Sequence, residues 1–174
     1  MILYTRKGDE GQTSIFGQSE KLSKSSQRVI ALGSLDELNS LLGVCKVKSD
    51  KKEIFKILED VQNDLFIIQA EVANAKKSLT SSRITEIEKI IDSIEKRLPK
   101  ITTFIISGGT ELSALLDYSR AVSRRAERIV FALNDKTKIN PESLKYLNRL
   151  SSLLYALARL ANVMHNIKEK KPKY

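Results

Sequence analysis

Five stretches of this chain place apolar residues every three or four positions, and together they occupy most of its 174 residues. That spacing follows the 3.6-residue turn of an α-helix, so it restricts the chain to helices that bury one face against one another. The first stretch runs from Val29 to Val47 on Val29, Leu32, Leu35, Leu38, Leu42 and Val44. The second rests on Ile54, Ile57, Leu58, Val61, Leu65 and Ile68, with Asp50 as candidate N-cap and an end near Lys77. The third carries Ile84, Ile87, Ile91, Ile94 and Leu98 and is stopped by Pro99. The fourth opens near Thr110 and carries Leu112, Leu115, Leu116, Val122, Ile129 and Leu133. Pro141 suits the first turn of the fifth, which carries Leu144, Leu147, Leu150, Leu154, Leu157, Leu160 and Val163. Long amphipathic helices on short connections predict an all-α fold, a five-helix antiparallel bundle in a single domain over residues 1–174.

One segment between helices breaks the pattern. ITTFIISGG, residues 101–109, is short, β-branched and closed by two glycines, and reads as an extended connector.

The chain is 41% hydrophobic and 29% charged, as expected of a globular protein long enough for a real core. No apolar run nears the roughly 20 residues needed to cross a bilayer. The opening MILYTRKGDE has no long apolar h-region. The expectation is a cytoplasmic protein with no membrane role. Cys45 is the one cysteine, so it has no internal disulfide partner, and its apolar neighbours make it a small core residue. The one histidine, His165, lacks companions for a metal set or a Ser-His-Asp assembly.

Thirty lysines and arginines against 21 acids give a formal charge of +9. Such a surplus suits a polyanion, whether nucleic acid, an anionic membrane or a nucleotide phosphate tail. Part of it lies in KEKKPKY, and the tail from about residue 167 to 174 reads as a frayed end. A single-strand nucleic-acid binder also wants aromatics among its basic residues, and helix four offers only Tyr118.

Several polar residues are not needed by a bundle. Helix four contains SRAVSRRAER, in which Arg120, Arg124 and Arg128 recur every four positions and form a slowly turning stripe. Arg125 stands beside them, and Glu127 is placed to orient Arg124. Arginine makes planar, bidentate contacts to phosphate or carboxylate that lysine cannot. The stripe is either a solvated basic face or an anion site. Helix one carries Asp36 and Glu37 among leucines, either as a surface pair or with one of them meeting a helix-four arginine of the same or a neighbouring chain. In helix five Asn148 falls among apolar residues, where it must bond to a ligand or to a backbone group.

The remaining oddity is TRKGDEGQTS, residues 5–14. Gly8 and Gly11 permit positive φ, which lets successive N–H groups converge on an anion. Thr5, Thr13 and Ser14 add hydroxyls, Arg6 and Lys7 add charge, and Asp9 either holds a metal ion or fixes the loop. Lys24 is a further phosphate contact. The strip is either a floppy N-terminus or, taken with the arginine stripe and Asn148, an ordered nucleotide loop over about residues 4–24 that makes one side of a triphosphate site. Neither the phosphate-loop signature nor the dinucleotide fingerprint is present.

Five motifs in order, TRKGDEGQT, ALGSLDELN, FIISGGTE, RAVSRRAER and YLNRLSSLLYALAR, resemble the PduO-type ATP:cob(I)alamin adenosyltransferases from about residue 4 to residue 162. The resemblance implies transfer of the 5′-deoxyadenosyl group of ATP to the cobalt of cob(I)alamin, giving adenosylcobalamin and triphosphate. It implies a five-helix bundle that forms a homotrimer, with each site between two subunits. ATP contacts carry over to Thr5, Arg6, Lys7, Gly8, Thr13, Ser14, Lys24, Arg124, Arg125, Glu127, Arg128 and Asn148. Asp36 and Arg120 match a charge pair across the subunit interface, and Phe104 matches an aromatic beneath the corrin ring. Two positions depart from the pattern: Ser107 replaces a proline before the glycines, and Ser152 replaces an acid in helix five. The chemistry is coherent with the residues. Co(I) is itself the nucleophile, so none is needed from the protein. The leaving group is a polyanion, which calls for concentrated positive charge and Mg²⁺. Expected partners are a reductase that supplies Co(I) and an enzyme that uses adenosylcobalamin.

Overall fold

The computed structural model describes residues 4, 6, 8–15 and 21–173. Five helices carry the chain: α1 (Gln27–Lys48), α2 (Lys52–Val72), α3 (Ser81–Glu95), α4 (Glu111–Asn134) and α5 (Pro141–Met164). Before them a short strand β1 (Gln12–Ser14) pairs antiparallel with β2 (Lys21–Ser23), with Thr13 opposite Leu22. Three-residue strands leave too little alternation to be read from sequence, and this ladder was not expected.

The helix starts follow local chemistry. Ser26 Oγ accepts from the Val29 N–H at 3.4 Å, and Thr110 Oγ1 from the Ser113 N–H at 3.0 Å. Asn140 Oδ1 caps α5 through the Glu142 N–H at 3.1 Å, with Pro141 in the first turn as expected. Asp50 is not the cap of α2. That position is Lys51, and Asp50 instead bonds Lys51 Nζ and His165 Nε2. Helix α2 also stops at Val72, short of Lys77, because Asn74 turns left-handed (φ 67°), a common helix ending. Helix α3 ends at Glu95, a turn ahead of Leu98.

Neighbours pack in the order α2, α1, α4, α5, α3. Helix α5 therefore has partners on two sides. Its leucine stripe faces one side, while Leu153, Ala156, Ala158 and Ala161 are buried too. The small residues let neighbouring backbones approach. The row of helices closes where Arg83 of α3 forms a bidentate pair with the buried Asp64 of α2, at 2.9 and 2.6 Å. One hydrophobic cluster draws on all five helices, including Leu35, Leu58, Ile87, Leu116 and Leu154.

Cys45 lies in this core, and its Sγ is 3.3 Å from Ser119 Oγ. Burial pushes the Cys45 thiol pKa up, which lowers its reactivity. A maleimide or disulfide reagent should label Cys45 at a negligible rate in native protein and stoichiometrically in denaturant. Rapid native labelling, followed by mass spectrometry, would contradict this placement.

Residues 101–109 run without regular hydrogen bonding from the end of α3 to α4, as expected of a connector. They are not alone at that end of the bundle. Arg159, almost fully buried, donates to Glu169 at 2.7 and 2.9 Å and to the Pro99 carbonyl at 2.8 Å. The Ile106 N–H donates to the Lys170 carbonyl at 2.9 Å. The fraying expected of the basic tail thus does not hold at Glu169 and Lys170, because a buried guanidinium and a connector amide engage them.

Candidate active site

Two grooves flank the arginine stripe of α4, and Arg124 lines both. The first is a cavity of about 440 Å³ bounded by the connector (Phe104 to Gly108), by Arg120 and Arg124 of α4, and by Ser152 and Tyr155 of α5. Phe104 is 78% exposed. An aromatic that merely plugged the bundle would be covered, so the connector presents this ring outward. The Arg120 guanidinium sits 5.9 Å from the Tyr155 ring centre, within cation–π range. The second groove is lined by Arg124, Glu127, Arg128, Phe131 and Asn148. Arg128 Nη1 reaches back to the Arg124 carbonyl at 3.1 Å. Stripe spacing therefore does place Arg120, Arg124 and Arg128 along one continuous wall.

Three expectations for this wall need correction. Arg125 faces away from it. Its Nη2 lies 2.6 Å from Glu37 of α1, in an ion pair between neighbouring helices. One residue on a helix turns 100°, enough to send Arg125 toward α1 while Arg124 lines the grooves. Glu127 does not orient Arg124. Its Oε1 accepts from Asn148 Nδ2 at 2.8 Å. Asn148 is exposed at the edge of the buried arc, and its Oδ1 accepts from Arg149 Nη1 at 2.8 Å, so side chains satisfy it instead of a backbone group.

The described part of the N-terminal strip forms a turn that has some of the expected backbone features. Gly11 has φ 78°, and Arg6 adopts φ 58°. Gly8 does not take positive φ. A Cβ there would lie 3.3 Å from the Gln12 carbonyl and 3.4 Å from Lys24 Nζ, so glycine serves close approach. The Asp9 and Gly11 N–H groups donate to the Arg6 and Gly8 carbonyls, at 3.3 and 3.2 Å, which builds the turn and takes them away from any anion. The Lys24 N–H closes on the Gly11 carbonyl at 2.9 Å and brings the Lys24 ammonium to the loop. Asp9 is exposed and has no side-chain partner among the described residues. No group of three acidic, histidine or cysteine side chains suited to a metal occurs among the described residues. Thr5 and Lys7 lie outside the described residues.

Thr13 and Ser14 line a third groove with Val29, Gly33, Asp36 and Phe66 of α1 and α2. It shares no residue with the two arginine grooves. Asp36 and Arg120 likewise form no ion pair within the chain.

The description of the cobalamin adenosyltransferases, as a family, matches residues 3–161. The chain belongs to the cobalamin adenosyltransferase family. It is 36% identical over 166 residues to the corrinoid adenosyltransferase PduO of Citrobacter freundii, covering 91% of this chain and 49% of that protein. The chain thus spans about half the length of the PduO relatives it matches. A shorter corrinoid adenosyltransferase of Citrobacter freundii is 38% identical, with 91% of this chain and 93% of that one aligned. The corrinoid adenosyltransferase of Bacillus subtilis is 35% identical, covering 96% and 90%. Among solved structures, a variant PduO-type ATP:corrinoid adenosyltransferase from Lactobacillus reuteri, complexed with cobalamin and ATP, superposes with TM-score 0.93 at 31% identity, covering 99% of this chain and 100% of that one. Another variant of that enzyme, complexed with ATP, gives TM-score 0.92 at 33% identity, covering 98% and 100%.

In this cobalamin adenosyltransferase chain the connector ends on a clamp that sequence reasoning missed. Asn162 of α5 is buried; its Nδ2 donates to the Gly108 carbonyl at 2.9 Å and its Oδ1 accepts from the Thr110 N–H at 3.0 Å. Gly109 between them has φ 130°, and a Cβ there would fall 2.2 Å from Asn162 Oδ1. The signal available was the glycine pair; its partner lies more than fifty residues on. Gly109→Ala combines a disfavoured backbone with overpacking and should cost about 1–3 kcal/mol in stability. Urea unfolding checks this, and an unchanged midpoint would show that the clamp is slack.

Proposed function

We propose that the chain transfers the 5′-deoxyadenosyl group of ATP to the cobalt of cob(I)alamin. The Co(I) lone pair attacks C5′, the C5′–O bond breaks, and its electrons leave on triphosphate, so cobalt ends formally as Co(III) in adenosylcobalamin. The observation that carries the reading is Arg124, which lines both a groove of phosphate-binding character and the cavity faced by the exposed Phe104. Such an arrangement suits a cationic wall beneath a leaving polyanion next to a flat apolar co-substrate. Ligands of the solved relatives, ATP and cobalamin, fit those two surfaces in kind.

ATP contacts are assigned to Arg6, Gly8, Thr13, Ser14, Lys24, Arg124, Arg128 and Asn148, with Glu127 holding Asn148. We assign Mg²⁺ to the nucleotide's phosphates; this ion keeps several waters and needs few protein ligands. We further propose a homotrimer whose sites unite the strip of one subunit with the stripe of the next. The separate grooves support this, as do the exposed Ile30, Val44 and Val47 on α1 and Phe66 on α2. No described helix is long and apolar enough to cross a membrane. A reducing cytoplasm suits Co(I), and a reductase and an adenosylcobalamin-dependent enzyme are the partners that this chemistry requires.

An anaerobic assay with chemically reduced cobalamin and ATP tests the reading. Loss of the Co(I) absorbance that depends on both protein and ATP is expected; no protein-dependent loss would refute it. Phe104 is assigned to the lower face of the corrin, where it keeps an axial ligand off cobalt and eases reduction of Co(II). Phe104→Ala should lower turnover from Co(II) plus reductant about tenfold more than turnover from preformed Co(I). Equal losses in the two assays would remove that role.

A further inference from the structure

The connector that presents Phe104 has no regular structure, so the ring's place depends on what holds the backbone to either side of it. Phe104 itself is exposed, and its own packing adds little. Toward α4 the Gly108 peptide is held by Asn162 Nδ2 at 2.9 Å and by Asp117 Oδ2 at 3.3 Å. The other anchors come from the chain beyond α5. The Ile106 N–H donates to the Lys170 carbonyl at 2.9 Å, and the Pro99 carbonyl accepts from Arg159 Nη2 at 2.8 Å. These two anchors meet at one side chain. Arg159 also holds Glu169, the residue before Lys170, through Nε at 2.7 Å and Nη2 at 2.9 Å. Arg159 and Glu169 line the same cavity as Phe104.

The segment after α5 reaches this point by turning back. Asn166 is left-handed (φ 55°), and the Ile167 N–H donates to the Asn162 carbonyl at 2.9 Å. Residues 168–173 then carry Lys168, Lys170, Lys171 and Lys173 but a single acid, Glu169. A buried guanidinium repels the lysines and attracts the acid, so Glu169 alone selects the register in which the segment docks. A buried bidentate pair of this kind fixes geometry more than it adds stability. Because it lies near the chain end, it can open without opening the five-helix core.

We infer that Glu169 and Arg159 are positioning residues for the corrinoid co-substrate, a strap that holds the connector, and with it Phe104, in place beneath the ring. The inference rests on the assignment of the connector cavity to the corrinoid. Neither side chain needs to meet the reacting atoms; they act through the Ile106 and Pro99 peptides. With the pair broken, the segment leaves, the Ile106 N–H loses its acceptor, and Phe104 no longer keeps one position. An axial ligand then regains access to cobalt, so the reduction of Co(II) suffers more than the transfer from Co(I).

Glu169→Gln tests this in the full chain, since it keeps the side chain's size but turns an amide donor toward Arg159. The Ile106 amide, followed by NMR on 15N-labelled protein, should exchange at least about tenfold faster than in wild type, while the core amides of Leu116 and Leu154 keep their rates. Turnover from Co(II) plus reductant should fall about fivefold more than turnover from preformed Co(I), with KM for ATP within about twofold of wild type. Combined with Phe104→Ala, Glu169→Gln should add nothing to the loss that Phe104→Ala causes alone. Arg159→Lys keeps the charge but has one nitrogen for three acceptor oxygens, and it should move the same readouts in the same direction. Unchanged exchange at Ile106 in Glu169→Gln overturns the inference, whatever reaction the chain performs. Faster exchange without the greater loss from Co(II), or losses that add to those of Phe104→Ala, overturns it and leaves the proposed reaction standing. Faster exchange in a chain whose wild type does not turn over preformed Co(I) overturns the proposed reaction and reduces the strap to a structural contact.

Discussion

Arg124→Ala should lower kcat/KM for ATP by about 1.5–3 kcal/mol, roughly tenfold to a hundredfold, the range for losing charge-assisted hydrogen bonds. Arg124 is exposed and lines both arginine grooves, so truncation leaves the core untouched and acts on the wall alone. Arg124→Lys separates charge from geometry. It keeps the positive charge but loses the planar fork, and its activity should fall between those of the wild type and the alanine variant. Steady-state kinetics with preformed Co(I) supply the numbers, and circular dichroism checks that the fold is intact. A folded Arg124→Ala protein with unchanged kcat/KM would take the stripe out of the site.

The second large effect is expected at Asp36 and Arg120. Asp36 is exposed on α1 in the strip's groove, and Arg120 faces the connector cavity, where Asp117 approaches its Nε edge. A carboxylate from a neighbouring chain would meet the guanidinium's other nitrogens. Once covered by an interface, such a pair is better at fixing geometry than at adding net stability, since desolvation offsets most of the attraction. Asp36→Asn and Arg120→Ala should each cost about 2–5 kcal/mol in kcat/KM, because each leaves a covered charge unpaired. The double variant should cost far less than the sum. Light scattering should find all three variants trimeric. A fully active monomer at micromolar concentration would remove both the trimer and the shared site. Simple additivity would remove only the pair.

The bundle was legible because its signal is repeated many times. Each helix carries five or more apolar residues in phase, and one misplaced side chain does not alter the period. Helix ends were less legible, since they depend on single conformations. Asn74 in the left-handed region ends α2, while Asp50, a good cap by residue type, turns to Lys51 and His165. In the candidate site, spacing along one helix located the wall formed by Arg120, Arg124 and Arg128. It could not tell Arg125 from Arg124, because that choice depends on α1 supplying Glu37. Leucines flank Asn148 in sequence and suggest a ligand or a backbone group as its partner, yet it lies exposed at the rim of the α5 arc and bonds to Glu127 and Arg149 side chains. Asp117 and Asn162 gave no sequence signal at all. Asn162 holds backbone groups more than fifty residues away, and Asp117 is one polar residue among many on α4, set apart only by its contact with the Gly108 amide of the connector.

The separation of the strip's groove from the arginine wall has a genetic consequence. Where one catalytic centre is split between two copies of a chain, a lesion in either half is a lesion only in that copy's contribution. In the proposed homotrimer Lys24→Ala would damage the strip and Arg124→Ala the wall, so that neither variant alone would contain an intact centre. Co-expressed in equal amounts, the two chains should then assemble mixed trimers. A centre is whole when its strip comes from the Arg124→Ala chain and its wall from the Lys24→Ala chain. Random cyclic assembly makes that half times half, or roughly one quarter of all centres. Two inactive alleles would thus complement each other within one particle, while a chain that built its centre alone would recover nothing on mixing.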